Sequence, residues 1–254
     1  MNNSDKLFLL GGYDLEMLTI KQILGGRDGC IVVDKHLRWD NALLSAYQEY
    51  LLQYEDIDIY GIELVEDVLL PAHYHRIDHH NEKCSKPSSL EQVALLLNLS
   101  LNREQQLVAA NDKGYIPAML EQHATNDEIS SIRYRDRAAQ GITKEDEKKA
   151  ELSIEKYLMR YGDLIVVKSL TSHFSPICDR LFPYERLLVY TDVEWMFYGK
   201  GKDILVNQFA SEMEKKKIYH GGGERGYIGS VQFAYSKNDI ISFVKQIIKE
   251  YGDN

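Results

Sequence analysis

The chain has 254 residues, of which 44% are hydrophobic, and a formal net charge of −9. That apolar content supports a core in one large domain or two ordinary ones, while the negative charge argues against extended nucleic-acid binding, which needs many Lys and Arg contacts to phosphate. No apolar run reaches the ~18 residues of a membrane span. The start, Met1 to Asp5, lacks the basic and apolar stretches of a secretory signal. Three scattered cysteines, Cys30, Cys84 and Cys178, fit a reducing cytoplasm and offer no paired metal site.

In chain order, Lys6–Leu10 is an apolar strand that runs into Gly11-Gly12-Tyr13-Asp14-Leu15-Glu16, and a helical pattern follows to Leu24. Cys30–Val33 is a second short strand ending at Asp34, with a helix-like stretch over 41–54. Asp58–Ile62 reads as a strand ending at Glu63, and Tyr74–Ile77 as the strand before Asp78-His79-His80. Ser88-Ser89-Leu90-Glu91 opens a helix with a capping box. Gln106–Ala110, a strand or a buried helix, leads into Asn111-Asp112-Lys113-Gly114-Tyr115. The alternation implies a parallel sheet covered by helices.

Two capped helices follow, from Thr125 and from Thr143 to about Arg160, and on the first of them Arg133, Arg135 and Arg137 read as a solvated face. The break at Tyr161-Gly162-Asp163 places a domain boundary there, giving domains 1–160 and 161–254. The second domain carries strands at 164–168, 187–190, 194–198 and 230–234, helices at 203–217 and 239–251, and the glycine-rich stretch 219–227.

The run Arg76-Ile77-Asp78-His79-His80 carries the chemistry. Consecutive carboxylate and imidazole groups suit a strand end, where the turning chain can aim all three into one cleft. Oxygen and imidazole nitrogen together suit Mn²⁺, Mg²⁺ or Zn²⁺. The acidic groups at Asp14, Glu16 and Asp112 also follow apolar segments, at the edge where parallel sheets bind ligands. Asp14 on its own reads as a turn or N-cap residue of the following helix.

Taken together, Asp78-His79-His80, the helix from Ser88, the Leu107–Gly114 stretch and the loop Gly221-Gly222-Gly223-Glu224-Arg225-Gly226 resemble, in order, the motifs of the DHH phosphoesterase superfamily. The resemblance implies an α/β enzyme: a parallel-sheet DHH-type domain, a smaller α/β C-terminal domain, and an active site in the cleft between them. It implies metal ligands among Asp14, Glu16, Glu63, Asp78, His79 and Asp112, catalytic roles for Asp78, His79 and His80, and substrate contacts from Gly221, Gly222, Gly223, Glu224 and Arg225. For Asp14 this family pattern outweighs the cap reading in favour of metal binding. The cofactor would be one or two divalent cations, usually manganese, and the substrate a small nucleotide or short oligonucleotide. The alternative is a descendant that binds nucleotide or phosphate without turnover.

The chain departs from the family pattern at three places. The first ligand of the leading motif is absent, whether Leu10 or Gly12 is aligned to it, and Glu16 stands for an Asp. Glu63 is the best-placed second motif, ahead of Asp34 and Glu66. Glu224 occupies the usual position of a His.

Overall fold

Four short strands, three of them largely apolar, assemble into a wholly parallel sheet. In the computed structural model these are β1 (Lys6–Leu10), β2 (Cys30–Asp34), β3 (Asp58–Ile62) and β4 (Tyr74–Ile77), in spatial order β2-β1-β3-β4. The structure describes residues 5–39, 41–215, 218–222 and 226–230, together with 238–239, 241–242, 245–246 and 249. Strand alternation divides β1 between two faces. Leu7 and Leu9 pack with Leu44, Tyr47, Leu51 and Ile59, while Phe8 and Leu10 are equally buried on the other side.

Parallel strands need crossover connections. Helix α1 (Leu15–Leu24) links β1 to β2, and a 3₁₀ turn over Leu44–Tyr47 with α2 (Gln48–Gln53) links β2 to β3. After β4 come α3 (Ser89–Leu96), α4 (Arg103–Glu121) and α5 (Asn126–Ala139), and α1 packs against all three. The chain leaves β1 toward β2 on one side and resumes with β3 on the other. The strand order therefore reverses between β1 and β3, and the carboxyl edge at such a reversal is where open parallel sheets place ligands.

Residues 106–110 lie inside α4, so the buried-helix alternative holds there and the strand does not. The helix loses its α geometry at Gly114 (φ −156°) and Tyr115 (φ +61°), directly after Asp112. Pro117 lies just beyond. A proline ring collides with the carbonyl four residues back, here that of Lys113, so an unbroken helix cannot run through this turn.

Helix α5 corrects the expectation of a solvated basic face. Its buried positions are Ile129, Ile132, Arg133, Asp136 and Arg137, one stripe at helical spacing. Arg133 Nη1 donates to Asn111 Oδ1 on α4 at 3.0 Å and to Asp136 Oδ2 at 2.8 Å, and its guanidinium lies 4.5 Å from the Tyr115 ring centre. Arg135 alone of the three reaches outward, to Glu104 at 2.6 Å.

The chain divides into units Met1–Gly141 and Ile142–Asn254. Helix α6 (Lys144–Tyr157), which the sequence places in a first domain ending at 160, packs in the second unit: its Ala150 is buried with Ile165, Ile177 and Val189. The second unit has a six-stranded sheet, β5-β6-β7-β8-β10-β9, made of β5 (Leu158–Tyr161), β6 (Leu164–Lys168), β7 (Arg186–Tyr190), β8 (Trp195–Gly199), β9 (Tyr219–Gly221) and β10 (Tyr227–Ser230). Helix α7 (Ser175–Leu181), not foreseen from the sequence, joins α6 on one face. Leu188, Trp195, Phe197 and Ile228 pack on the other face with Leu205 of α8 (Lys202–Gln208), and α9 (Ala210–Glu214) follows. The single helix expected over 203–217 is thus two, parted at Phe209. Among the described residues, no helix is long and apolar enough to cross a membrane.

Candidate metal centre

Four elements of the first unit deliver acidic or imidazole groups to the carboxyl edge of the sheet. Gly11 makes this possible at the end of β1. A Cβ there would run into the main-chain oxygens of Glu63 and Ile62, the latter at 2.6 Å, so only glycine lets the ends of β1 and β3 lie this close. Asp14 then caps α1, its Oδ1 accepting the Met17 N–H at 2.8 Å, which makes the N-cap reading correct. Glu16, 2% exposed, lies in the first turn of α1. Glu63 follows β3 at φ +53°, a left-handed geometry uncommon outside glycine and a mark of local strain at a site.

These carboxylates converge on one imidazole. His79 Nε2 lies 2.6 Å from Asp112 Oδ2, 3.4 Å from Glu63 Oε1 and 3.9 Å from Glu16 Oε2. One ligand atom from each of Glu63, His79, His80 and Asp112 falls within 4.8 Å of the others. The start of α3 supports the cluster from behind: Ser89 Oγ donates to Glu63 Oε1 at 2.7 Å, and the Leu90 N–H donates to Glu16 Oε1 at 2.9 Å. Their second oxygens, Glu16 Oε2 and Glu63 Oε2, are buried with no hydrogen-bond partner among the described residues.

The electrostatics follow from crowding. Burial, then repulsion from Asp112 and Glu63, pushes the carboxyl groups of Asp14 and Glu16 well above the ordinary range. Burial works to lower His79, but hydrogen bonds to Asp112 and Glu63 and their negative charge outweigh it and raise the imidazole to about 10. Buried carboxylates gathered around one nitrogen, with two oxygens unpartnered, are an unfavourable arrangement for a protein alone. Oxygen-rich donors with one imidazole match a hard or borderline divalent cation. The residues fit a metal ion.

The Asp-His-His run does not aim all three side chains into this cluster. His79 Nε2 faces the carboxylates and His80, its ring centre 4.3 Å from that of His79, also brings a ring nitrogen to the cluster, while Asp78 turns to Arg76. Asp78 Oδ2 accepts from Arg76 Nη2 at 2.5 Å, and Oδ1 accepts from the His80 main chain at 2.9 Å and lies 3.0 Å from His80 Nδ1. Burial opposes the Asp78 charge, but the bonds from His80 and Arg76 prevail and hold the carboxyl below its usual range. Asp78 is therefore engaged with Arg76 and His80.

Of the other second-motif candidates, Asp34 is bound to Lys21 at 2.8 Å and Glu66 faces Arg76 at 3.6 Å, which leaves Glu63 at the cluster. Leu10 is fully buried in the core. Gly12 faces the indole of Trp39. In the second unit, Gly221 ends β9 and Gly222 follows it. Gly223, Glu224 and Arg225 lie outside the described residues. Sequence reasoning missed two contributors, Ser89 and Trp39. The capping box marked where α3 starts, but not that this start would face Glu16 and Glu63.

No family model and no curated protein matches the chain. Solved structures do. The pGpG-specific phosphodiesterase PggH of Vibrio cholerae superposes with a TM-score of 0.51 at 12% identity, covering 98% of each chain. The DHH domain of a member of the S1p family of ribosomal proteins superposes at 0.50 with 10% identity, over 98% of this chain and 86% of that one. The chain has the DHH-superfamily fold. The side chains that converge in the first unit are Glu63, His79, His80 and Asp112, with Glu16 Oε2 3.9 Å from His79 Nε2.

Proposed function

We propose that the chain is a metal-dependent phosphoesterase that hydrolyses a small nucleotide or short oligonucleotide, with a single divalent cation, Mn²⁺ by choice, held by Glu16, Glu63, His79 and Asp112. The observation that carries this reading is the convergence of three carboxylates on His79 Nε2, at 2.6, 3.4 and 3.9 Å, from four separate elements. Similarity of fold to a phosphodiesterase whose name specifies pGpG supports the choice of substrate class. When bound, such an ion supplies Lewis acidity, lowering the pKa of water and offsetting charge on a phosphoryl oxygen.

The chain's own groups supply the rest. Ser89 and the Leu90 N–H each fix one oxygen of Glu63 and Glu16, which would orient both carboxylates for a bound ion. Asp78 is a positioning residue: locked by Arg76, it holds His80 Nδ1 and so sets the tautomer in which Nε2 faces the substrate. His80 lines a cavity of about 390 Å³ with Glu63, Arg76 and Trp39, where it can take or give a proton.

The test is metal content by plasma mass spectrometry on protein purified without chelator, followed by a hydrolysis screen of dinucleotides, mononucleotides and pyrophosphate. About one Mn²⁺ per chain, with turnover that disappears in Asp112→Asn, is the expected result. Bound ion and bound nucleotide without turnover would establish the binding-only alternative, which the missing ligand at Leu10 and Gly12 favours. No bound ion after Mn²⁺ is supplied would refute the reading.

A further inference from the structure

We infer that Trp39 is a stacking shelf for a nucleobase, with the phosphoryl group on its His80 side and the base on its Tyr13 side. The inference rests on the phosphoesterase reading above and assigns the place where the base of its substrate binds.

Trp39 lies in the connection between β2 and the 3₁₀ turn at Leu44, and it is 47% exposed. Its placement is nevertheless fixed on two sides. The indole comes within 3.1 Å of the point a Cβ on Gly12 would occupy, so glycine is what lets it settle over the end of β1. Its edge meets the His80 ring at 5.1 Å and 72°, a T-shaped pair. An indole held this firmly yet left half bare is a preformed flat surface beside the candidate metal centre.

Two cavities share that surface. One, about 390 Å³, is lined by Glu63, Arg76, Asp78 and His80, the polar and catalytic side. The other, about 490 Å³, is lined by Tyr13, Arg38 and Gln140. Each falls in the size range of small-molecule sites. The two differ in chemistry in the way the two ends of a nucleotide differ. The first offers a cation and an imidazole next to the metal ligands, which suits a phosphoryl group. The second offers an aromatic ring, a guanidinium and an amide around the indole, which suits a planar, hydrogen-bonding base. A sugar phosphate alone would fill the first and leave the second empty.

The experiment uses the full chain loaded with Mn²⁺ and three probes: guanosine 5′-monophosphate, adenosine 5′-monophosphate and ribose 5-phosphate. The chain has two tryptophans, and Trp195 is fully buried, so a base stacking on Trp39 registers as fluorescence quenching. The nucleotides should quench, and by calorimetry they should bind about 5- to 150-fold more tightly than ribose 5-phosphate, the range of one base–aromatic stack. Trp39→Ala should reduce nucleotide affinity to the ribose 5-phosphate level with Mn²⁺ content unchanged, and Trp39→Phe should restore most of it. Equal binding of ribose 5-phosphate and nucleotide, or unchanged nucleotide affinity in Trp39→Ala, would overturn the shelf while leaving the phosphoesterase reading intact. Failure of all three probes to bind would overturn both.

Discussion

Replacing Arg133 by Met tests the brace between α4 and α5. The change removes the guanidinium from a buried carboxylate, Asp136, and from Asn111, the neighbour of Asp112, while keeping the chain's apolar length. Asp136 would retain two neutral donors, Gln140 Nε2 at 3.1 Å and the Leu15 N–H at 3.3 Å. Breaking a buried pair from one side typically costs about 3–5 kcal/mol. We therefore expect Arg133→Met to lose about 3–5 kcal/mol. The assay is urea denaturation followed by Trp39 fluorescence in a Trp195→Phe background, so that the signal comes from the first unit. In a double-mutant cycle, Arg133→Met with Asp136→Leu should recover much of the loss. A single-variant loss under about 0.5 kcal/mol, or two penalties that simply add, would refute the brace.

Three further outcomes follow from the structure. Ser89→Ala removes the hydroxyl that orients Glu63 and should weaken Mn²⁺ binding about 10- to 100-fold by calorimetry, with little change in the fold of the metal-free protein. Gly11→Ala forces a methyl group against the oxygens of Ile62 and Glu63; a cost of about 1–3 kcal/mol in thermal unfolding, together with weakened ion binding, is expected, and a neutral result would show that β1 and β3 can part freely. In the second unit, hydroxyl bonds from Thr143 and Thr171 hold Asp146 below the usual carboxyl range. A lowered folded-state value stabilises above the ordinary aspartate range and is lost as pH falls through it. Asp146→Asn should thus melt lower than the parent at pH 7, and the two should converge in acid.

The parts of this fold legible in the sequence are those where burial leaves a plain signature. Strands β1 and β3 are largely apolar runs closed by turning residues, β4 is a short mixed one, and Glu16, Glu63, His79 and Asp112 follow such runs or sit in them. What escaped was pairing between side chains. The turning strand end does bring His79 and His80 to one cluster, but nothing in the sequence showed that Arg76 would draw Asp78 away from it. On α5, Arg133, Asp136 and Arg137 fall at the same spacing as Ile129 and Ile132; their charge, rather than their periodicity, made the stripe look solvated. Helix α4 reads ambiguously because a short apolar run such as Leu107–Ala110 satisfies either element.

The end of β1 also bears on which substitutions this backbone accepts. Three adjacent positions resist a new ligand, each for a different reason. Leu10 is committed to the core, Gly11 has carbonyl oxygens where a side chain would begin, and Gly12, at φ +54°, lies under the indole of Trp39. A side chain placed at position 12 would take up the left-handed backbone at a cost and press on the Trp39 ring by a few tenths of an ångström, so any change there is felt at residue 39 as well.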